Sequence, residues 1–411
     1  MTVISKHTAT ADVVTASGRL RLPVKDAQVT LDEAWAPYVQ ASLTCSTPEP
    51  AVLAQIDPRT RTRVHLTLEQ RFGESQPASA LSAAYAGASA ATFSAAYAGQ
   101  NAVAVSNDYG QPYNAFGMRP STRRRFNLGL RTRHVDSLTG TMRLDLASNE
   151  ATAQDQLLVA KVPSGAPGPS VAQAVDFALL QIGESLGDAI DYSVPGDADP
   201  DAFVWLPGVS AWAYADGLVK AAGLRLWCDE LRRWHLTEPL LGTGRLLAMT
   251  TSTTALSEDL DREGQWHDAV VVEYRWNNAS GEQQTRYDVA GATRSNRALH
   301  VLADRAWPGA GAANAILQRA RGRGRKVVAQ AVSDYSATPG DQVNIRLTDS
   351  GQNVGIVSSV TWNLSADEMT VTTRDLTETS IYSWAYAAPG LAWDEIPSGT
   401  DWTEYDPTEE V

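Results

Sequence analysis

The residue types most often used for catalysis and metal binding are widely spaced in this 411-residue sequence. The six histidines are His7, His65, His134, His235, His267 and His300. No two histidines lie three or four positions apart, which excludes a helical HExxH zinc motif. Cys45 and Cys228 each stand in an apolar stretch. We therefore expect two buried thiols, and the pair cannot form a zinc motif of the CxxC type.

Two acidic runs have part of the pattern of a calcium-binding loop. In "DLDREG" three acids precede Gly264, but the twelfth position of the loop is Val270, where an EF-hand needs a bidentate glutamate. In "DADPDA", residues 197–202, alanine stands where the loop needs glycine. We predict that both runs are solvated turns. A P-loop and a dinucleotide fingerprint are also missing from the sequence, so we predict no catalytic residue, no cofactor, no metal ion and no enzymatic activity.

A dense basic run, "QRARGRGRKVVAQAV" at residues 318–332, contrasts with the net charge of −13 on the whole chain. Such a run is either a phosphate-binding patch or the solvated end of a structural helix. The preceding "AANAILQRARG" predicts a helix near residues 310–322, and cations at a helix C-terminus complement its dipole. The helix-end interpretation is favoured. Arg321, Arg323 and Arg325 are also candidates for contact with another subunit.

Three tryptophans recur every nine residues near the end of the sequence: Trp384, Trp393 and Trp402. The surrounding stretch, residues 381–411, has seven acids, several prolines and no lysine or arginine. Proline prevents a long helix or a central strand. We predict an extended acidic arm whose tryptophans dock in pockets of a partner, because exposed indole rings are costly in water. The alternative is an arm that folds back on its own subunit.

Strands with one buried face dominate the first third of the chain. Apolar and polar residues alternate with period two at residues 39–45, 64–68, 126–130 and 142–146, which is typical of antiparallel sheets and barrels. We assign residues 1–161 to a first β-barrel domain. An Ala-, Ser- and Tyr-rich insertion at 75–120 interrupts it, and is either a loop that contacts a partner or a low-complexity insert.

Helical and strand patterns mix in the middle of the chain. "SVAQAVDFALLQIG", with Ser170 as its cap, and "SAWAYADGLVKAAG" predict helices, and "LRLWCDELRRWHLTEP" predicts a hairpin. We assign residues 162–247 to a small α+β domain and residues 248–380 to a second β-barrel domain. The predicted fold is therefore mainly β, with two antiparallel barrels flanking an α+β domain. The last four strands are predicted to form a meander.

This arrangement resembles the tail-tip hub proteins of tailed bacteriophages and related contractile injection machines. The stretches that carry the resemblance are "VTLDEAWAPYVQASLTC", "MRLDLASNEATAQDQLL", "GLRLWCDELRRWHLTEP" and "RGRKVVAQAVSDYSATPGDQVNIRL". It covers about residues 1–380 and consists of patterns rather than catalytic motifs. In its abundance of alanine and tryptophan, the chain most resembles minor tail proteins of phages that infect actinobacteria.

The resemblance implies a structural virion protein, made in the host cytoplasm and carried at the tail tip. The family's two barrels alternate in a homotrimer, so that a pseudo-sixfold ring matches the hexameric tail tube and surrounds the DNA exit channel. The implied partners are the distal tail or tail tube protein, the tape measure protein and tip fibres or other minor tail proteins. DNA would meet the ring only in transit. The sequence has neither a signal peptide nor an apolar run of membrane-spanning length, so stable membrane binding is not expected.

Two other functions compete with this interpretation. A receptor- or glycan-binding baseplate protein would use tryptophan and tyrosine rings as platforms for sugars. A hydrolase with dispersed carboxylates is the third possibility, because paired acids leave no spacing signature.

Overall fold

The computed structural model describes residues 5–15, 18–72, 121–165, 170–190, 197–238, 242–249, 252–260, 266–278, 280–321, 324–345 and 353–378. The whole predicted insertion at 75–120 and the whole acidic arm with Trp384, Trp393 and Trp402 lie outside these residues. Antiparallel strands dominate, as the sequence predicts, and helices are concentrated in the middle of the chain. In the described part of the chain, no helix is long and apolar enough to cross a membrane.

The first strand-rich block follows the alternation of its side chains. Its strands are β1 (Ser5–Thr15), β2 (Gly18–Leu22), β3 (Val24–Asp32), β4 (Val39–Ser46), β5 (Arg63–Phe72), β6 (Ser121–Asp136) and β7 (Thr141–Ala147). In β4 every second residue is buried, and Cys45 is one of these. A short helix, α1 (Pro50–Leu53), and a 3-10 turn at Pro58–Thr60 connect β4 to β5.

The middle of the chain forms its own core around two capped helices. Its elements are α2 (Glu150–Asp155), β8 (Ser164–Gly165), α3 (Val171–Leu180), β9 (Leu186–Ala189), a 3-10 turn (Pro200–Phe203), β10 (Val204–Trp205), α4 (Ala211–Ala221), β11 (Arg225–Cys228) and β12 (Trp234–Thr237). Ser170 caps α3 by accepting from the Gln173 amide, and Ser210 caps α4 in the same way. The predicted hairpin is β11–β12, and both helices pack in one core with it.

The last part of the chain contains two different sheets. Its elements are β13 (Leu246–Met249), β14 (Thr253–Leu260), β15 (Ala269–Asn277), β16 (Gln283–Gly291), β17 (Ala298–Ala303), α5 (Ala312–Arg321), β18 (Arg325–Val332), β19 (Gln342–Ile345), β20 (Asn353–Asn363) and β21 (Glu368–Glu378). The strands β16, β15 and β17 form a separate three-stranded sheet with α5 against it. These strands were predicted to belong to the second barrel. Alternation within a strand shows that one face is buried, but it does not show which sheet the strand joins.

Strands of both blocks join in one sheet. The order is β14-β18-β21-β20-β3-β4-β7-β6-β5-β1-β2, with β19 also paired to β20 and β13 to β19. The two blocks meet where β3 pairs with β20, and a single hydrophobic core runs through both. The arrangement of two barrels is therefore not confirmed, since the described strands form a continuous sheet and no closed barrel.

The predicted four-strand meander holds for only three of its strands. β19, β20 and β21 pair in succession, whereas β18 pairs with β21 and β14 rather than with β19. The connection after β18 places that strand on the far side of β21. The alternation in "QVNIRLT", residues 342–348, predicts that Val343, Ile345 and Leu347 face the core and that Asn344 and Arg346 face outward. Val343 and Ile345 are fully buried, as this pattern predicts, and Asn344 between them is only half-buried. Leu347 and Arg346 lie outside the described residues.

The substitution Ile345→Asp tests the placement of β19 in the shared core. Ile345 is fully buried, and an unpaired carboxylate there would lower the free energy of unfolding by about 3–5 kcal/mol. The exposed residue of the same strand, Gln342, supplies the control Gln342→Asp. Chemical denaturation should show a large loss for the first variant and almost none for the second. Equal stability of the two variants would contradict the placement.

Candidate functional site

Arg325 and Lys326 of the basic run pair with acidic residues of the edge strand β14. Helix α5 ends at Arg321, which confirms the predicted helix end. Arg325 begins β18, and its Nε donates to Oε1 of Glu258 at 2.5 Å. Lys326 Nζ lies 3.3 Å from Oδ2 of Asp259. Arg323 lies outside the described residues, and a contact between this run and a partner stays a prediction.

The two acidic runs have different structures. Asp199 accepts from the Asp201 amide and caps a 3-10 turn, as expected of a turn residue. Asp197 accepts from Nε1 of Trp307 at 3.0 Å, which ties this run to the chain after β17. Asp259 was predicted in a turn but lies in β14. In the described segments no cluster of histidine, cysteine and carboxylate side chains could hold a metal ion.

The polar groups that position the three parts of the molecule meet around the β11–β12 hairpin. We call this region the hairpin junction and define it by Glu33, Tyr38, Arg124, Glu150, Arg225, Trp227, Glu230 and Arg374. At its centre, Oε1 of the fully buried Glu150 accepts from the Cys228 amide at 2.9 Å and from the Tyr38 amide at 3.3 Å. This carboxyl group therefore connects β11 to the residue that precedes β4.

Burial shifts the pKa of two charged side chains of the junction, Glu150 and Arg225. The desolvation of Glu150 raises the pKa of its carboxyl group, although hydrogen bonds to the charged form oppose this shift. Desolvation also lowers the pKa of Arg225. The guanidinium carbon of Arg225 lies 5.1 Å from the ring centroid of Trp227 and 5.4 Å from that of Tyr38. Cation–π attraction compensates part of the lost hydration.

Two arginines connect the halves of the large sheet to one another and to the middle of the chain. Arg374 of β21 donates from Nε to Glu33 at 2.6 Å, and both side chains are almost fully buried. Arg124 of β6 donates from Nη2 to Oε1 of Glu230 in the hairpin turn at 2.8 Å. The Nη1 atom of Arg124 donates to the carbonyl oxygen of Ala337 at 2.5 Å. One guanidinium group thus joins the first block, the hairpin and the second block.

A cavity of about 340 Å³ opens beside the junction. Its walls are the loop before β5 with the start of that strand, the middle of β6, the end of β7, helix α2, Ile182 after α3 and the hairpin turn. Five arginines line it: Arg59, Arg61, Arg63, Arg131 and Arg232. This cluster of arginines was not predicted from the sequence. The alternating stretch "PRTRTR" at residues 58–63 was the available signal, but the other two arginines come from distant parts of the chain.

The structure of this chain is similar to solved structures, although its sequence matches no known family. No protein-family model matches the sequence, and no curated protein matches it. The structure is similar to the tail protein from Neisseria meningitidis MC58, with a TM-score of 0.50 and 8% identity over 89% of this chain and 96% of that chain. It is also similar to the 43 kDa tail protein of prophage MuSo2 from Shewanella oneidensis, with a TM-score of 0.51 and 10% identity over 89% and 98% of the two chains.

These likenesses establish a fold class. The chain has the fold of phage tail proteins over most of its described length, which confirms the resemblance predicted from the sequence at the level of the fold. The prophage tail protein gp18 from Listeria monocytogenes EGD-e is a further match, with a TM-score of 0.47 and 9% identity over 90% of this chain and 96% of that chain. An actinobacterial host stays a prediction.

Substitution of Glu150 separates its charge from its hydrogen bonds. A raised folded-state pKa means that the carboxyl group stabilises the fold most below its ordinary pKa and that this stabilisation is lost as pH rises through the folded pKa. Glu150→Gln keeps the accepting oxygen without the charge. Relative to the parent, this variant should therefore gain free energy of unfolding as pH rises above the ordinary pKa of a glutamate, measured by urea denaturation.

The companion variant Glu150→Ala leaves two buried amides without an acceptor. Relative to Glu150→Gln, it should lose about 1–3 kcal/mol of stability at every pH, because both variants lack the charge and only the alanine variant lacks the acceptor. If the glutamine and alanine variants lose the same stability, Glu150 does not act as an acceptor in the junction.

Arg124 is the second residue to test. Arg124→Ala leaves Glu230 without its cation and the Ala337 carbonyl without its donor, so it should lower the free energy of unfolding by about 3 kcal/mol. The neighbouring Arg125 is exposed on the other face of β6, and Arg125→Ala is the matched control. Thermal denaturation should separate the two variants clearly, and equal melting temperatures would show that Arg124 does not join the three parts.

Proposed function

We propose that this chain is a structural protein of a bacteriophage tail and forms the trimeric hub at the tail tip. The observation that carries the proposal is the extent of the fold likeness. The similarity spans 89% of this chain and 96–98% of the two tail proteins from Neisseria and Shewanella. The shared part is therefore nearly the whole of those proteins rather than one common module.

The sheet is suited to a ring of three copies. In this proposal each half of the large sheet is one barrel-like unit, so a trimer presents six units to a hexameric tail tube or distal tail ring. Among the described strands, β2, β13 and β14 are edge strands of the sheet, because each is paired with a single neighbour. A strand edge carries unpaired backbone donors and acceptors, which favours pairing with another copy. Contact between unlike edges closes a ring when the rotation between copies is one third of a turn.

The charge of the chain fits a channel for DNA rather than a binding site. A net charge of −13 repels the phosphate backbone, so DNA would pass the ring without being held. The other partners in this proposal are the tape measure protein and the tip fibre or other minor tail proteins. The protein would act within the virion after synthesis in the bacterial cytoplasm.

Two groups of residues are proposed to hold the neighbours of the hub. Trp384, Trp393 and Trp402 of the acidic arm would enter separate pockets on an adjacent subunit or tail protein. The nine-residue spacing corresponds to roughly 27–30 Å in an extended chain. Arg321, Arg323 and Arg325 would contribute a basic contact between subunits.

Mass photometry of the purified chain tests the hub proposal. We expect particles with three times the mass of one chain, or rings formed together with the tail tube or distal tail protein. A chain that ends at Ser380 should melt at the same temperature as the parent and assemble less well, because it lacks the tryptophan anchors. If the shortened chain loses thermal stability instead, the arm belongs to the core of its own subunit.

The same preparations test the competing function. A monomer that ignores tail tube and distal tail proteins but binds isolated host cell walls would replace the hub by a receptor- or glycan-binding baseplate protein. Exposed rings such as Trp35 and Tyr287, which are 49% and 58% exposed, would then be the first sugar platforms to substitute.

A further inference from the structure

The cavity beside the hairpin junction has strongly basic walls. We call it the arginine pocket and define it by Arg59, Arg61, Arg63, Arg131 and Arg232. Asp155 is the acidic residue among its lining residues. Both oxygens of Asp155 accept from Arg131, at 2.5 and 3.0 Å, so this carboxylate is already used within the wall.

Two positive charges of the pocket are not balanced by acidic residues. Arg59 pairs with Asp57 at 2.7 Å, and Arg232 pairs with Glu184. Arg61 donates instead to a neutral group, Oε1 of Gln156, at 3.0 Å. Arg63 makes no direct ion pair within the described residues, and Glu184, which attracts its charge, is already paired with Arg232. The pocket therefore keeps an excess of positive charge in a chain whose net charge is −13.

Arg63 and Arg232 are close enough to affect each other's charge. Burial and the charge of Arg232 lower the pKa of Arg63, whereas the charge of Glu184 raises it. A cleft lined by one sign of charge focuses the field and attracts a counter-ion. Arg61 stands in the left-handed backbone region, with φ of 53°, directly after the 3-10 turn that contains Arg59.

A buried amide in the same wall also needs an acceptor. Asn149 is 5% exposed and lines the pocket at the start of α2. Its Nδ2 atom is buried and has no hydrogen-bond partner in the described part of the chain. Buried polar side chains are normally satisfied, so an unused donor next to unbalanced arginines indicates a missing acceptor. The two observations are independent, because one concerns charge and the other a neutral amide.

We propose that the arginine pocket binds carboxylate groups of an acidic peptide. A planar guanidinium fork matches a carboxylate with two parallel hydrogen bonds. A cavity of about 340 Å³ admits one or two acidic side chains, whereas nucleic acid is usually bound along an extended basic stripe. One source of such a peptide is the chain itself, because residues 399–411 contain five acidic residues and no lysine or arginine. Another source is an acidic segment of a different tail protein.

The test uses the chain that ends at Ser380 and a fluorescent peptide with the sequence of residues 399–411. A second peptide has every Asp and Glu replaced by Asn and Gln. Fluorescence anisotropy at low salt measures the Kd of each. The pocket variant carries Arg61→Gln with Arg63→Gln. The matched control carries Arg125→Gln with Arg294→Gln, two exposed arginines that do not line the pocket.

The proposal predicts that only the acidic peptide binds and that the pocket variant weakens binding at least tenfold. The control should change the Kd less than twofold, and both variants should melt with the parent. Equal binding of the two peptides, or equal loss in both variants, would overturn the proposal. So would preferential binding of a DNA oligonucleotide that the pocket variant abolishes, since the ligand would then be nucleic acid.

Comparison with the full-length chain identifies the source of the peptide. If the chain's own acidic segment occupies the pocket, the full-length protein should bind the added peptide at least fivefold more weakly than the shortened chain. Equal affinity supports an acidic segment of another protein. The measurement uses the isolated chain, so its outcome does not depend on whether the protein forms a trimeric hub.

Discussion

The pairing of β3 with β20 is the constraint on which the rest of the structure depends. Five residue pairs join residues 28–32 to residues 359–363, which lie more than 300 positions apart in the sequence. Without this ladder the large sheet would be two separate sheets. Closing so long a loop loses chain entropy, and the core shared by both blocks must offset that loss. Val29 and Trp362 pair across the ladder and are both buried, so the seam itself contributes to this core.

The hairpin junction keeps the third part of the molecule in place against that seam. Glu33 directly follows β3, and its ion pair with Arg374 of β21 crosses from one block to the other. The middle of the chain enters through Glu150, which accepts from the backbone on both sides of the contact. Buried charges of this kind add little net stability when they are paired, but they strongly penalise any other arrangement of the parts. The junction therefore specifies how the three parts are oriented.

The sequence patterns predicted individual strands and helices. They did not predict which distant segments pair or pack together. The buried alternation in β4 and the caps Ser170 and Ser210 act within a few residues, so the sequence alone identified those strands and helices. The partner of β18 and the separate sheet of β15 depend on packing between remote segments, which periodicity does not encode. The candidate site was missed for the same reason. The arginines of the arginine pocket come from three separate regions of the chain, and none of the predicted docking residues is among them.

The continuous sheet also determines how the molecule responds to force. Two domains that contact each other only through side chains can rotate about a linker, because no backbone hydrogen bonds cross the boundary. Here the boundary is a backbone ladder, and a rotation of one half against the other would break several hydrogen bonds worth about 1 kcal/mol each, together with the packing beneath them. When the two halves are pulled in opposite directions along the axis of β3 and β20, the ladder is sheared, and all five pairs are loaded at once rather than opened one by one. The two halves therefore transmit torsion and tension as a single elastic body.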